Sequence, residues 1–166
     1  MFFFMLLHCV FFYFCSQAKK KFKNVFFSSS QLKKQNMSAP DREENNLAEV
    51  VGRLLQYQNL FRIYHWQTRS YARHKASDEL VSSFTDLIDR LVEGLQGAHN
   101  TRVTFGRPAT FKVSNVSDAN ATGLLTDLKA WLENLQEEIT LDIGISNTRD
   151  EIVALLDKTL YLFTFA

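Results

Sequence analysis

Apolar side chains recur at helical spacing through most of the chain after residue 40. This spacing predicts helices because one face of an α-helix repeats every 3.6 residues. Thr148 and Glu151 have the spacing of a capping box, and Gly97 is a typical residue just beyond a helix end. The predicted helices span residues 41–66, 73–96, 117–142 and from 148 towards the C-terminus.

The connection between the second and third helices, residues 98–116, is the only long one. Short connections join antiparallel neighbours, whereas about 20 residues can cross the length of a bundle. The order short, long, short therefore predicts an all-α fold, a ferritin-like four-helix bundle with one long crossover between helices two and three.

The second helix has a polar sector that contains His74, Asp78, Asp89 and Glu93. At about 100° per residue these four side chains project within roughly a 100° sector. A charged face opposite an apolar stripe is most often only solvated surface. This sector, however, combines acids, histidine and small hydroxyls, with Lys75 as its one cation at the edge, and this composition favours a metal site.

The spacing along the helix restricts how such a site could form. Asp78 and Asp89 are separated by about 16 Å at 1.5 Å rise per residue. Metal–ligand bonds are about 2 Å long, so the His74/Asp78 and Asp89/Glu93 pairs of one chain cannot bind the same ion. Two copies of the helix, antiparallel across a two-fold axis near Ser82 and Thr85, would bring the pairs together. The sequence therefore predicts an intersubunit site in a homodimer.

Charge and cysteine are distributed unevenly along the chain. Residues 1–37 contain both cysteines and six lysines but no acid. Subtracting these six lysines from 19 basic residues leaves 13 against 18 acidic ones, so residues 38–166 have a formal charge of −5. Without cysteine, that part excludes disulfides and thiol chemistry. Its acidity makes DNA an unlikely partner, because phosphate is repelled.

The N-terminal segment, residues 1–37, has two interpretations. Its apolar run over residues 2–15 is shorter than the roughly 20 residues that span a bilayer, but a signal peptide or signal anchor fits its hydrophobicity. The favoured interpretation is an extension produced by the gene model, because Met37-Ser38-Ala39-Pro40 resembles a natural start. We therefore expect a soluble intracellular protein with no membrane contact unless residues 1–37 are part of it.

The polar sector, together with His65-Trp66 near the end of the first helix, resembles the iron-oxidation motif of the Dps-like ferritins. The steps His74-x-x-x-Asp78 and Asp89-x-x-x-Glu93, and the eleven residues between Asp78 and Asp89, match that motif. A closer likeness is to a group of ferritin-like proteins from algae and large DNA viruses, which share stretches such as His65-Trp66-Gln67-Thr68.

The resemblance implies a di-iron or mononuclear iron site across a two-fold axis, and a homodimer or a larger shell. The implied ligands are His65, His74, Asp78, Asp89 and Glu93. The implied activity is oxidation of Fe(II) by peroxide or dioxygen, for iron storage, detoxification and protection against oxidative stress. Zinc suits the same donors.

An alternative function is a non-catalytic ferritin-like interaction or structural module with a vestigial or zinc-binding site. It is motivated by the segment from His65 to His74, which is shorter than its counterpart in Dps-like ferritins.

Overall fold

A computed structural model describes residues 39–165 of the protein, with side chains from residue 46 onward. It contains no β-strand in this part of the chain, so the predicted all-α class is confirmed. Contacts between residues group Glu43–Ala166 into one compact unit. The predicted extension, residues 1–37, lies outside the described residues. The helices are α1 (Ala39–Gln67), α2 (Tyr71–Ala98), α3 (Asp118–Glu133) and α4 (Ile143–Leu162), with 3₁₀ turns at Leu135–Glu137 and Phe163–Phe165.

The link between α1 and α2 is a tight turn over residues 68–70. Ser70 ends it as the N-cap of α2, with its hydroxyl accepting a hydrogen bond from the Arg73 backbone N–H at 3.3 Å. A capping hydroxyl of this kind satisfies one of the backbone donors that a helix start leaves unpaired. The cap places the start of α2 two residues before the predicted position at Arg73.

The boundaries of α3 and α4 differ from the prediction. The carboxylate of Asp142 accepts from the Ile145 backbone N–H at 2.8 Å, so α4 begins at Ile143. Thr148 is buried inside the helix and donates to the Gly144 carbonyl, so the predicted capping box is wrong. α3 ends at Glu133 rather than near residue 142. The chain then turns through a 3₁₀ segment.

α1 runs antiparallel to both α2 and α3. The Gln58 side-chain amide donates to Thr85 on α2 at 2.9 Å, and nearer the end of α1 His65 contacts Ser77. On the other side, the Asn46 amide donates to the Glu138 carbonyl beyond α3 at 2.8 Å, and Tyr64 donates to Asp118. At both interfaces, contacts made further along α1 involve earlier residues of the neighbouring segment, which is the antiparallel arrangement.

α4 also runs antiparallel to two helices, α2 and α3. Lys158 pairs with Glu79 near the start of α2. Glu151 accepts two hydrogen bonds from Arg90, which lies near the C-terminal end of α2. The hydrogen bonds from Arg90 lower the pKa of the Glu151 carboxyl. Towards α3, Lys129 pairs with Asp157 at 2.6 Å. α2 and α3 therefore have the same direction, as do α1 and α4.

Residues 99–117 connect α2 to α3, and side-chain amides of the helices hold them in place. Gln96 accepts from the Val103 backbone N–H at 3.0 Å. Gln56 makes two hydrogen bonds with the Lys112 backbone, and Gln67 accepts from the Val116 N–H at 2.8 Å. The segment therefore follows α1 from its middle to its C-terminal end.

The apolar faces of the four helices meet in one core. Phe61 and Phe84 pack edge to face with ring centroids 5.5 Å apart, a favourable aromatic geometry. Gly94 permits a close approach of α2 and α4, because a Cβ there would lie 3.4 Å from the Ile145 side chain. Among the described residues, no helix is long and apolar enough to cross a membrane. The fully buried large side chains are Leu47, Leu54, Phe61, Tyr64, Leu80, Phe84, Leu91, Leu95, Leu125, Leu128, Leu132 and Leu135.

A polar cluster joins three helices at one end of this core. The hydroxyl of the buried Tyr64 donates to Asp118 at 2.8 Å, and Arg73 donates to the Asp118 carbonyl at 3.1 Å. The Arg73 guanidinium also lies 4.8 Å from the centre of the Phe163 ring. Burial raises the pKa of the Tyr64 phenol, which therefore stays protonated and donates.

Replacing Asp118 by alanine should lower the free energy of unfolding by about 1–3 kcal/mol, the usual cost of leaving a buried polar group unsatisfied. The Tyr64 hydroxyl would lose its acceptor. Urea denaturation followed by circular dichroism measures the change. Asp127→Ala, an exposed acid on the same helix, is the control. Equal losses in the two variants would show that the Tyr64–Asp118 bond contributes nothing specific.

Candidate metal site

The antiparallel pairing of α1 and α2 brings His65 and His74 together across the turn over residues 68–70. Their imidazole rings are stacked, with centroids 4.1 Å apart and an interplanar angle of 20°. We call these two side chains the imidazole pair. The short segment between them therefore does not prevent His65 from reaching His74.

Each imidazole of the pair contacts the backbone carbonyl of the other histidine. His65 Nδ1 lies 3.2 Å from the His74 carbonyl oxygen, and His74 Nδ1 lies 3.0 Å from that of His65. The hydroxyl of the fully buried Ser77 is also 3.2 Å from His65 Nδ1. Both Nδ1 atoms thus contact groups of the protein itself.

Asp78 lies beside the imidazole pair, one turn of helix after His74. Its Oδ1 atom is 3.9 Å from His65 Nε2. Two ligands bonded at about 2.1 Å to one ion lie roughly 3.0–3.4 Å apart at octahedral or tetrahedral angles. The Asp78 side chain is 62% exposed, so a small rotation would close that difference. His65 and Asp78 are therefore near enough to supply two ligands to one ion.

Lys75 is the cation nearest this carboxylate. Its Nζ lies 3.9 Å from Asp78 Oδ2, and both side chains are mostly exposed. An exposed pair of this kind is worth only about 0–1 kcal/mol. A divalent ion would therefore displace Lys75 from Asp78 easily.

The other two predicted ligands, Asp89 and Glu93, are not near the imidazole pair. α2 is continuous from Tyr71 to Ala98, so Asp78 and Asp89 are about 16 Å apart along its axis. Asp89 and Glu93 are exposed and make no hydrogen bond or ion pair within the described part of the chain. Residues 46–165 of a single chain, His65, His74 and Asp78 included, contain no group of three or more His, Cys, Asp and Glu side chains that could hold a metal ion.

The two small residues expected between the ligand pairs occupy different environments. Ser82 is exposed. Thr85, by contrast, accepts from Gln58 and donates to the Val81 carbonyl, so it faces α1 of its own chain. The expectation that Thr85 belongs to an open contact face is wrong. Ser82 alone of the two remains available for close approach of another helix.

Two aromatic residues of the segment from His65 to His74 are largely exposed. Trp66 is 70% exposed and Tyr71 is 79% exposed. Their exposure makes both side chains accessible to another molecule.

Ser77 is the site residue that sequence patterns did not identify. It lies in the apolar sector of α2, next to Ala76 and one turn before Leu80 and Val81. Its hydroxyl donates to the His74 carbonyl at 3.0 Å. A serine within an apolar stripe, three residues after a candidate ligand, was the available signal.

The chain is similar to a phage protein and to a protein-family model. The chain is 28% identical over 121 residues to an uncharacterized 14.6 kDa protein encoded in the mobD–ri intergenic region of Enterobacteria phage T4, covering 70% of this chain and 86% of the phage protein. No solved structure matches significantly. Neither the name of the phage protein nor the description of the matching family model mentions ferritin or Dps.

The second match is to a family model and covers residues 65–163, which include all five predicted metal ligands. This range is more than half of the 166-residue chain. The chain therefore belongs to the family of unknown function designated DUF5856.

Proposed function

We propose that this protein binds Fe(II) between two copies of the chain and oxidises it with peroxide or dioxygen, in the manner of a Dps-like ferritin. His65, His74 and Asp78 of one copy and Asp89 and Glu93 of the other are the proposed ligands. The proposed roles are iron storage or detoxification and protection against oxidative stress.

The proposal rests on the proximity of His65 to His74 and of His65 to Asp78. Sequence patterns placed His74 and Asp78 on one helix face, but the position of His65 depended on the turn between the helices. A separation of 3.9 Å between His65 Nε2 and Asp78 Oδ1 puts an imidazole nitrogen beside a carboxylate oxygen. Imidazole and carboxylate together suit Fe(II), and zinc by affinity order.

The helix directions support a ferritin-like bundle. α1 and α4 share one direction, and α2 and α3 share the other. Parallel α2 and α3 require a connection that crosses the length of the bundle, and the 19 residues 99–117 are long enough for it. The chain has no Glu-x-x-His sequence, which bundles use to hold two irons inside one chain. The proposed site is therefore at a surface between copies.

The surface of α2 supports a contact between two copies. Asp78, Ser82, Asp89 and Glu93 are all exposed along it. An antiparallel partner helix would face His74 and Asp78 with Glu93 and Asp89 of the partner. Because three carboxylates would then meet at each of two symmetry-related sites, cations at the contact would offset their repulsion.

The residues have separable roles in the proposed reaction. His65 and His74 supply neutral donors, and the three carboxylates offset the charge of the bound Fe(II). Oxidation of two Fe(II) by one hydrogen peroxide consumes two protons and yields two Fe(III) and two waters. The protein's part is to hold both Fe(II) ions where one oxidant takes both electrons, which prevents the one-electron step that forms hydroxyl radicals.

Metal titration of the full-length protein tests the proposal directly. Fe(II) added without oxygen should bind at two ions or fewer per chain, and admission of peroxide should oxidise it faster than in buffer alone. Near-ultraviolet absorbance follows the oxidation, and elemental analysis of the purified protein measures bound metal. Absorbance traces that match the buffer blank, with no bound metal, would contradict the proposal.

A second candidate is the non-catalytic module with a zinc-binding or vestigial site. It is favoured by one contact, the ion pair between Lys75 and Asp78, which places a cation where a metal would bind. Zinc that binds at the same residues without any acceleration of Fe(II) oxidation would support this function over the first.

A further inference from the structure

The backbone contacts of the imidazole pair determine where its ring protons lie. A carbonyl oxygen only accepts hydrogen bonds. His74 Nδ1 lies 3.0 Å from the His65 carbonyl oxygen, so this nitrogen has to carry the hydrogen. In a neutral imidazole the other nitrogen, Nε2, is then left with a lone pair.

The same argument for His65 involves Ser77. The His74 carbonyl has two lone pairs, and it accepts the Ser77 hydroxyl at 3.0 Å in addition to the helical N–H four residues later. Since the Ser77 hydrogen is committed to that carbonyl, the Ser77 oxygen is free to accept. His65 Nδ1 also lies 3.2 Å from the His74 carbonyl oxygen, which only accepts, so this nitrogen is the donor and the Ser77 oxygen at 3.2 Å is a second acceptor for it.

We infer that the fold fixes both histidines with hydrogen on Nδ1 and a bare Nε2, and that Ser77 is a positioning residue for His65. This inference deepens the proposed function, because a bare nitrogen is what a metal ion requires. Metal-binding histidines are commonly oriented through their second nitrogen, and loss of that partner typically weakens metal binding about 10–100-fold. Ser77 is fully buried, so its hydroxyl contacts groups of the protein rather than water.

The tautomers can be measured in the full-length, metal-free protein. Long-range ¹H–¹⁵N spectra at about pH 8, where unperturbed imidazoles are neutral, should show His65 and His74 both protonated at Nδ1. Ser77→Ala removes one of the two oxygens near His65 Nδ1 and leaves the His74 carbonyl at 3.2 Å, so it should raise the Nε2-protonated fraction of His65 only partly and leave His74 unchanged. Ser77→Thr, which retains the hydroxyl, should restore the wild-type spectrum. Ser83→Ala, a half-buried serine on the same helix, is the control and should change nothing.

Zinc affinity, measured by calorimetry with ZnCl₂ alone, should fall about tenfold in Ser77→Ala. The inference is overturned if wild-type His65 or His74 is protonated at Nε2. The positioning role is overturned if Ser77→Ala leaves the His65 tautomer as in wild type, or if it alters the tautomer without changing zinc affinity. The wild-type spectrum decides the tautomers even if Ser77→Ala does not fold. A wild-type protein with the expected spectrum and no affinity for zinc or Fe(II) would contradict the proposed function while leaving the tautomers established.

Discussion

Asp78→Ala and Glu93→Ala should each abolish the accelerated oxidation of Fe(II) while leaving the helical content unchanged. Asp78 is the carboxylate beside the imidazole pair, and Glu93 is proposed to meet that pair from the partner copy. Both side chains are exposed, so removing either creates no cavity and costs little stability. Initial oxidation rates by absorbance, with circular dichroism for folding, measure both effects.

Asp86→Ala is the matched control for these two substitutions. Asp86 is also an exposed acid on α2, and it lies outside the proposed ligand set. Its removal changes the net charge by the same amount, so it should leave the oxidation rate within about twofold of wild type. If all three variants lose activity equally, general attraction of cations by the acidic helix explains the oxidation, and the specific ligand assignment is wrong.

The helical periodicity predicted the number of helices and their core faces, but local signals misplaced two boundaries. Between residues 143 and 147, Gly144 and the polar Ser146 and Asn147 give a weak helix pattern. Ile145 nevertheless packs against Gly94, and Asp142 caps the helix. Tertiary packing overrode local propensity there, and it moved the start of α4 from Thr148 to Ile143.

At the end of α3, in contrast, the periodic pattern predicted a longer α-helix than the structure has. Leu135 and Ile139 continue the apolar period and are buried, as the pattern predicted. The backbone nevertheless leaves the α-helix at Asn134, whose side-chain amide donates to the Ala130 carbonyl at 2.8 Å. A periodic pattern records which side chains are buried, but a 3₁₀ turn can bury the same residues. The sequence therefore predicted the burial of this segment better than its conformation.

At the candidate site, the sequence predicted residues that share a helix but not those that meet between helices. His74, Asp78, Asp89 and Glu93 are ordered by helical geometry alone. The contact of His65 with His74 depends on the angle of the turn over residues 68–70. The orientation of Thr85 depends on which side of α2 the first helix packs against. Neither quantity can be obtained from the period of one helix.

Replacing Ser82 by arginine should abolish dimer formation and metal binding together. Ser82 is exposed near the midpoint between Asp78 and Asp89, where two antiparallel copies of α2 would cross. A long cation there would prevent close approach of the helices and would also repel the bound metal. Sedimentation velocity with and without Fe(II) or Zn²⁺ measures the dimer, and calorimetry of the same samples measures metal binding. Ala154→Arg, which places the same side chain at an exposed position on α4, should remain dimeric and bind metal as wild type does.

An intersubunit site requires that dimer formation and metal binding are lost together, whereas a site within one chain does not. Asp78 and Asp89 of a single copy are about 16 Å apart, so a monomer can offer only His65, His74 and Asp78. Three ligands without the partner's Asp89 and Glu93 should bind metal more weakly, and raising the protein concentration should strengthen binding as dimers form. A wild-type monomer whose metal affinity is high and independent of protein concentration would refute the intersubunit site. The metal would then be bound by the imidazole pair and Asp78 alone, and the likeness to Dps-like ferritins would no longer explain the function.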